Sequence, residues 1–564
     1  MQRAKRVADD DARVEPIVAD EESRARGAGP GLVLLLVVFL PVAVAVFSPG
    51  LSAPFISDDF LYIVNNPYVR EFEPATIPAL FDPTGDAIYI SGGNYAPIHL
   101  LTHAAEWRVF GEAVRGYHLV NVTLHCLNAV LLAALMLTAG VPRSWSAVGA
   151  ALFLVHPANV EAVVWISQLK SLLALCFALT ALLLFRNRPL WAGLPFVLGL
   201  LTKASAAFAL PFAAVMAWSW VRAGRDPRRH LLSLAFWAVA LGLFAIPQLA
   251  ATAAMGSAFV PEYPDLPSHI RTIFAIAARY FAMAFGYGTA AYHELEPSSI
   301  VDPWWWAGLC GGLLLSLRIV WTLRAGREEA AWWIAALAAF APISQWLPFF
   351  FAMADRYLYF ILPGLIGGAL LFGVAVRDSI RWDRLPVRIV AVVCVVVLGG
   401  LFATLSVVRS GMWNSDYRLL KDATRRYPNG GTASFTNALI AMKLGDSDEA
   451  IEKLREASDR NFYLVRSFER EPLLVPLFED PRFEALMRDH ARRRIELAET
   501  NGITSQNQVR GLARAYFLLG EHDRAIELLE ASAREGGPLH GQVLYDLVHM
   551  RAERAELKRS PSVE

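Results

Sequence analysis

Charge is what this chain has least of. Of its 564 residues only 18% are Asp, Glu, Lys or Arg, against 55% hydrophobic. A soluble chain of this length folds as several domains whose surfaces need more charge. The shortage excludes a wholly soluble enzyme, and the apolar wealth excludes a disordered protein. Net charge is missing too. The 52 basic residues balance 52 acidic ones, so no global field draws the chain to nucleic acid, and no nucleic-acid partner is expected. Cysteine is scarce. Cys126, Cys176, Cys310 and Cys394 all lie in apolar runs without metal-ligand spacing, which excludes a disulfide scaffold and leaves them as small core residues. There is no Gly-rich nucleotide loop, no Gly-x-Ser-x-Gly and no Cys-x-x-Cys. Neither a soluble nucleotide-sugar fold nor a cytosolic ATPase is visible.

What is present is a series of long uncharged runs ending near residue 408. Residues 1–28 mix both signs of charge without periodicity and read as a disordered cytoplasmic tail. The run 31–47 follows a lead too long for a signal-peptide n-region, so it reads as an uncleaved anchor. Hydrocarbon about 30 Å thick needs roughly 20 apolar helical residues. Candidate spans fall at 116–139, 144–164, 168–185, 205–221, 231–252, 303–323, 331–350, 357–376 and 389–408. The run 189–202 is short, and its flanks Arg188 and Lys203 would snorkel to the two interfaces. The segment 269–290 is apolar but carries Arg271 and Arg279. If it does not cross, the basic loops around Arg143, Arg186, Arg222, Arg324 and Arg377 all fall on the cytoplasmic side. It therefore reads as an amphipathic or re-entrant outer helix, giving about eleven spans. The N-terminus is then cytoplasmic and the C-terminus external.

From about Gly411 the composition becomes that of a soluble helical domain. Residues 437–451 and 513–526 repeat one pattern: an apolar helix, a Leu-Gly stop (Leu444-Gly445 and Leu519-Gly520), an acidic turn, and a helix opening on Ala-Ile. The pattern resembles the tetratricopeptide repeat, with Gly at the turn and Ala where two helices approach. The fold class is thus mostly α: a polytopic helical membrane domain over 29–410, with a first external loop at 48–115, then an α-solenoid of tetratricopeptide-like repeats over 411–564. A plain helical bundle is the alternative for the C-terminal part.

The topology puts five polar islands on one side of the membrane. They are Ser57-Asp58-Asp59 in the first loop, His156 to Glu161 running on to Lys170 and Ser171, Thr202-Lys203, Tyr292-His293-Glu294, and Asp355-Arg356-Tyr357. Ionisable groups at span ends are costly unless they face a cavity or a partner, so five on one face point to a polar site at the membrane surface. Adjacent carboxylates repel, so one of Asp58 and Asp59 is suited to general-base work; a capping or solvated pair is the plainer reading. His156 reads as a core histidine bonded to the next helix. No tight metal motif accompanies His156 and His293, so no metal is expected. Lys203 and Arg356 either snorkel to headgroups or clamp a phosphate at the membrane surface. The Trp clusters at 304–306 and 332–333 read as interfacial belt residues.

As an ordered set the islands resemble a known family. Tyr95-Ala96-Pro97-Ile98 with Gly116-Tyr117-His118, then His156-Pro157 with Val160-Glu161-Ala162-Val163-Val164-Trp165 and Lys170, then Leu201-Thr202-Lys203 through Leu210-Pro211-Phe212, then Ala354-Asp355-Arg356-Tyr357, are similar to blocks of the transmembrane and tetratricopeptide-repeat-containing mannosyltransferase family, of the GT-C class. The resemblance implies a membrane glycosyltransferase that takes a sugar, mannose in that family, from a polyprenyl-phosphate carrier to a protein or envelope acceptor hydroxyl at the outer face. It implies Asp58 or Asp59 as catalytic base and Lys203, Arg356 and Lys170 around the donor phosphate. His156, Glu161, His293, Glu294 and Tyr95 would orient loops or meet sugar and acceptor, and the repeats would receive a protein or peptide. Its bacterial lean implies the plasma (inner) membrane with periplasmic repeats. Ser171 departs from the Asp common there, and Trp218-Ser219-Trp220 replaces an acidic residue. A non-catalytic membrane-anchored repeat scaffold and a lipid-linked-sugar flippase or polymerase are the competing classes.

Overall fold

The computed structural model describes residues 29–91, 93–255, 263–346, 352–377, 385–460, 468, 471–501, 506–536 and 540–559; the tail expected over 1–28 lies outside them. Among the described residues every regular element is a helix. This follows from apolar runs that, in lipid, satisfy their backbone groups only by internal i→i−4 bonding.

Among the described residues, eight helices are long and apolar enough to cross a membrane. They are α1 (Gly29–Phe47), α3 (Val114–Thr138), α6 (Leu169–Asn187), α8 (Ala209–Arg222, entered through a short 3₁₀ turn), α9 (Arg228–Met255), α11 (Pro303–Arg324), α13 (Asp355–Ala375) and α14 (Leu385–Ser410). Between them lie α2 (Pro97–Phe110), α4 (Arg143–Leu154), α5 (Asn159–Val164), α7 (Gly193–Thr202), α10 (Leu266–Met283) and α12 (Glu329–Phe340). Three expected spans are therefore shorter helices. The stretch 144–164 breaks at His156-Pro157 into α4 and α5, because a proline disfavours helix in the residue before it. The run 189–202 is helical from Gly193, and 331–350 is helical only to Phe340, with 347–351 outside the described residues.

Helix α6 is the most buried of the eight and α14 the least, with Ile389, Val390, Val392, Val393, Val396 and Val397 of α14 all exposed. Exposed β-branched and aliphatic side chains on a helix of this length are what lipid requires. Inside, small residues let helices approach. Gly364 and Gly367 of α13 lie against the backbone and ring of Trp332 on α12, with no space for a Cβ, and Gly368 meets Trp333 in the same way. Trp332 is fully buried and the Trp333 indole N–H donates to Glu329 at 3.0 Å. This corrects the belt reading of 332–333: both rings are packing partners of a glycine face.

Helix α10 packs along α11, where Gly308 sits against the Phe274 carbonyl. Its Asp265 N-cap accepts from Ser268 N at 2.6 Å. It exposes Leu266, Ile270 and Phe281 and buries Ala275, Ile276, Tyr280 and Met283, the two-faced pattern of an amphipathic helix.

The end of the bundle that carries α6, α8, α11 and α12 termini is knitted by charge. Arg186 pairs with Glu328, which also accepts from the Trp220 indole N–H at 3.3 Å. Arg318 grips Glu329 with two bonds of 2.8 and 2.7 Å. The opposite end carries the first loop and, docked beside it, the C-terminal helices: α15 (Asp416–Arg426), α16 (Gly431–Leu444), α17 (Ser447–Asp459), α18 (Pro481–Asn501), α19 (Gln506–Leu518), α20 (His522–Glu535) and α21 (His540–Arg559). Pairs α16/α17 and α19/α20 turn on Gly445 (φ +81°) and Gly520 (φ +84°), left-handed positions that favour glycine. Ala450 and Ala525 are fully buried where the paired helices meet.

Candidate active site

The first loop prepares the site through its backbone. Ser57 takes a left-handed φ of +49°, rare for a residue with a Cβ and a conformation that clusters at functional sites. A wide π-type turn follows over Phe60–Val64. Between them the two carboxylates part company. Asp59 is fully buried. Its Oδ2 accepts from Ile56 N at 3.0 Å and its Oδ1 from Ser167 N at 2.8 Å and from the Ser167 hydroxyl. Burial pushes its carboxyl up to about 6 despite those donors. Asp58 is half-buried, and among the described residues no hydrogen bond reaches its carboxylate.

Three cations gather opposite. Lys170, near the start of α6, donates from Nζ to the Tyr62 hydroxyl at 3.0 Å and lies 4.2 Å from the centre of that ring. The same hydroxyl receives Asn94 Nδ2 at 2.5 Å. Lys203, in the break between α7 and α8, donates to Ser171 Oγ at 2.8 Å, and Ser171 donates on to Gln168 Oε1 at 2.8 Å. Arg356, in the first turn of α13, sends its guanidinium to Glu161 Oε1 and its amide to Glu161 Oε2 at 2.8 Å. It also lies over Trp165 and Tyr357 at 5.5 and 4.9 Å. The charge of Asp58 acts on both Lys170 and Arg356, and Lys203 feels Lys170, Arg356 and Glu161. Four of the islands thus meet in one place, and the fifth adjoins it through Tyr292, which feels Glu161, Arg356 and Asp58.

The pairing within this cluster is uneven. Glu161 answers Arg356, but among the described residues no carboxylate comes within 4.0 Å of Lys170 or Lys203. Both ammonium groups rest on neutral hydroxyls. Ser171 is the neutral partner of Lys203. A desolvated ammonium without a counter-charge is costly, so the site favours an incoming anion.

The remaining expected residues tie neighbouring segments together. His156 is buried, with Nε2 3.1 Å from the Ala284 carbonyl and Nδ1 accepting from Ala158 N at 3.2 Å. It ties the α4/α5 break to the end of α10. Tyr95 is buried against Phe244 and donates to the Phe81 carbonyl at 3.2 Å. His293 and Glu294 face the C-terminal helices. His293 Nε2 is 2.7 Å from Asp355 Oδ1 and its Nδ1 is 2.8 Å from the Tyr427 hydroxyl. Glu294 Oε1 accepts from Thr432 N at 2.9 Å and from the Thr432 hydroxyl, at the open N-terminus of α16.

A second polar group had gone unread. His99, His103 and Glu106 fall at i, i+4 and i+7 on α2 and are all buried. His103 Nδ1 is 2.7 Å from Glu106 Oε2, and the His99 ring lies 5.0 Å from that of Tyr62. Burial holds His99 well below the ordinary imidazole range. Helical spacing after Pro97 is the signal that would have found this stripe. Among the described residues no group of three or more His, Cys, Asp or Glu is arranged to hold a metal ion.

No family model matches the chain. Over 175 residues, 30% of the chain, it is 33% identical to protein O-mannosyl-transferase TMTC1 of Homo sapiens, of which the match takes in 20%. Over that stretch the chain is TMTC-like. Protein O-mannosyl-transferase Tmtc1 of Drosophila melanogaster is 31% identical over 151 residues, 26% of the chain and 18% of that protein. Protein O-mannosyl-transferase F38B6.6 of Caenorhabditis elegans is 28% identical over 177 residues, 30% of the chain and 25% of that protein. The TMTC-like stretch therefore spans about a fifth to a quarter of these relatives' length. Among solved structures, the Archaeoglobus fulgidus oligosaccharyltransferase tethered with an acceptor peptide superposes with a TM-score of 0.39 at 12% identity, over 76% of the chain and 59% of the other. Its apo form gives 0.38 at 14% identity, over 75% and 59%.

Proposed function

We propose that the protein is a membrane glycosyltransferase of the GT-C type that moves a sugar, mannose by the names of its relatives, from a polyprenyl-phosphate carrier to a hydroxyl on a protein acceptor. The observation that carries this reading is the pair of buried Lys170 and half-buried Lys203, ammonium groups that rest on neutral hydroxyls, with the charge of the unbonded Asp58 carboxylate acting on Lys170. A polyprenyl carrier stays in the bilayer and presents its phosphate at headgroup level. Cations at span ends are where that phosphate arrives.

In this mechanism Asp58 is the base. It takes the proton of the acceptor hydroxyl as that oxygen attacks the anomeric carbon. The carbon–oxygen bond to the carrier phosphate breaks, and the phosphate leaves with the electron pair, inverting the anomeric centre. Lys170 and Lys203 stabilise the charge that grows on the phosphate. Arg356, bonded to Glu161, adds its positive charge beside them. Asp59 holds the loop from which Asp58 projects. The site lies on the outer side of a bacterial plasma membrane, at the end remote from the Arg186, Arg222 and Arg324 cluster, as the positive-inside rule asks. The C-terminal helix pairs, turning on Gly445 and Gly520, support a tetratricopeptide-like domain on the same side, where a concave face would receive a protein acceptor.

The deciding experiment supplies the purified full chain in nanodiscs with labelled mannosyl polyprenyl phosphate and analyses co-purified envelope proteins by mass. Transfer in the wild type that is lost in Asp58→Asn supports the reading. Full transfer by a folded Asp58→Asn protein overturns the base assignment. No donor binding and no transfer by the wild type overturns the function.

A further inference from the structure

The C-terminal domain is bonded to the residue next to Arg356, and by two routes. Asp355, the first residue of α13, is fully buried, and three donors surround its carboxylate. His293 Nε2 lies 2.7 Å and Ala290 N 3.2 Å from Oδ1, and Arg409 Nη2 lies 2.7 Å from Oδ2. Two of these donors are held from the far side by the C-terminal domain. The Tyr427 hydroxyl is 2.8 Å from His293 Nδ1, so Tyr427 donates to Nδ1 and Nε2–H donates to Asp355. On the other route Asp422 Oδ2, on α15, lies 3.8 Å from Arg409 Nη1 and accepts Ala291 N at 2.9 Å. Two routes thus run into the first turn of α13: Tyr427–His293–Asp355 through hydrogen bonds, and Asp422–Arg409–Asp355 through an ion pair followed by a hydrogen bond.

We propose that Asp422 and Tyr427 are positioning residues for the reaction centre, acting through Asp355 on Arg356. The inference rests on the functional reading above for what Arg356 does, and on the bond network alone for how it is held. A buried carboxylate with three donors sits in one place. With one donor released its charge is under-compensated, and the backbone that carries it relaxes toward solvent or another partner. The next residue along is Arg356, whose amide and guanidinium must both reach Glu161. Docking of the domain also uses a contact outside this network, Glu294 to Thr432 at the start of α16. Glue and positioning are therefore separable. The same geometry makes the domain part of the site's frame: Trp413, just beyond α14, packs at 5.6 Å on the Trp165 ring over which Arg356 lies.

The test compares full-length Asp422→Asn, Tyr427→Phe and Thr432→Val proteins in nanodiscs. Hydrogen exchange is read at the Arg356 amide, which donates to Glu161, and binding of undecaprenyl phosphate is read in parallel. Asp422→Asn and Tyr427→Phe are expected to speed exchange at Arg356 at least tenfold and to weaken undecaprenyl phosphate binding at least fivefold. Thr432→Val is expected to speed exchange in α16 while leaving Arg356 as in the wild type. Unchanged exchange at Arg356 in both network variants overturns the inference, as does an equal effect of all three. A wild type that fails to bind undecaprenyl phosphate would sink the functional reading, while the exchange comparison still decides this one.

Discussion

Asp59 and Ser167 are bonded twice: the Asp59 Oδ1 atom accepts both the amide and the hydroxyl of Ser167, across 108 residues of chain. With Ile56 N on the other oxygen, three of the carboxylate's roughly four acceptor positions are taken by the protein, and the group is fully buried. It closes the first loop onto the turn before α6, which carries Lys170. Asp58, one residue earlier, is left to face the cations.

That division predicts opposite outcomes for two adjacent substitutions. Asp58→Asn is expected to lower the transfer rate by roughly 10²-fold or more, the scale of general-base catalysis, with an unchanged melting temperature. Asp59→Asn keeps one acceptor oxygen and loses the other, and is expected to destabilise the loop by about 1–3 kcal/mol. Transfer assays beside thermal unfolding of the same preparations separate the two. Equal loss of stability in both variants would refute the division.

The Asp59 carboxyl also sets a pH signature. Its folded value of about 6 lies above the ordinary 3.8, so between those values the folded chain holds the proton more tightly than the unfolded one. Stability then falls as pH rises from about 4 to about 6 and levels off above, by an amount on the order of 3 kcal/mol. Asp59→Asn removes this slope. The check is the wild-type-minus-variant difference in unfolding free energy across pH 4–7.5; a difference that rises with pH would have the wrong sign.

The two lysines and the arginine differ in what they rest on, and their variants should differ accordingly. Lys203→Gln removes a desolvated charge that rests on the neutral Ser171 hydroxyl and over the Phe360 ring. It is expected to leave stability unchanged or raise it, while weakening polyprenyl phosphate binding tenfold or more, about 1.4 kcal/mol. Glu161→Gln removes the carboxylate to which the Arg356 guanidinium is bonded and is expected to cost about 3–5 kcal/mol. Thermal unfolding and phosphate binding, measured on both, give the contrast.

The cations were legible because each stands at the end of an apolar run, where a charge is conspicuous. Asp58 and Asp59 could not be told apart, since neighbouring carboxylates share every sequence property; the left-handed Ser57 and the distant Ser167 separate them. His293 and Glu294 were found, but their partners Tyr427 and Thr432 lie 134 and 138 residues away, and no periodicity links positions so far apart. The break at His156-Pro157 was hidden by hydropathy, which averages over the proline. Trp332 and Trp333 looked like belt residues because a buried tryptophan and an interfacial one have the same letter. Only the glycine face of α13 tells them apart.

That glycine face is itself open to test. Gly367 has no space for a Cβ against the Trp332 ring, and Trp332 is wedged from its other side by Phe212, whose ring centre is 5.0 Å away. The indole has nowhere to retreat, so Gly367→Ala is expected to push α12 and α13 apart at a cost of about 1–3 kcal/mol, although alanine is the better helix former. Gly400 on lipid-facing α14 has open space around it, and Gly400→Ala is expected to be neutral or stabilising. Melting temperatures of the two variants in the same detergent decide the matter: if Gly367→Ala melts with or above Gly400→Ala, helix propensity outweighs packing at this interface.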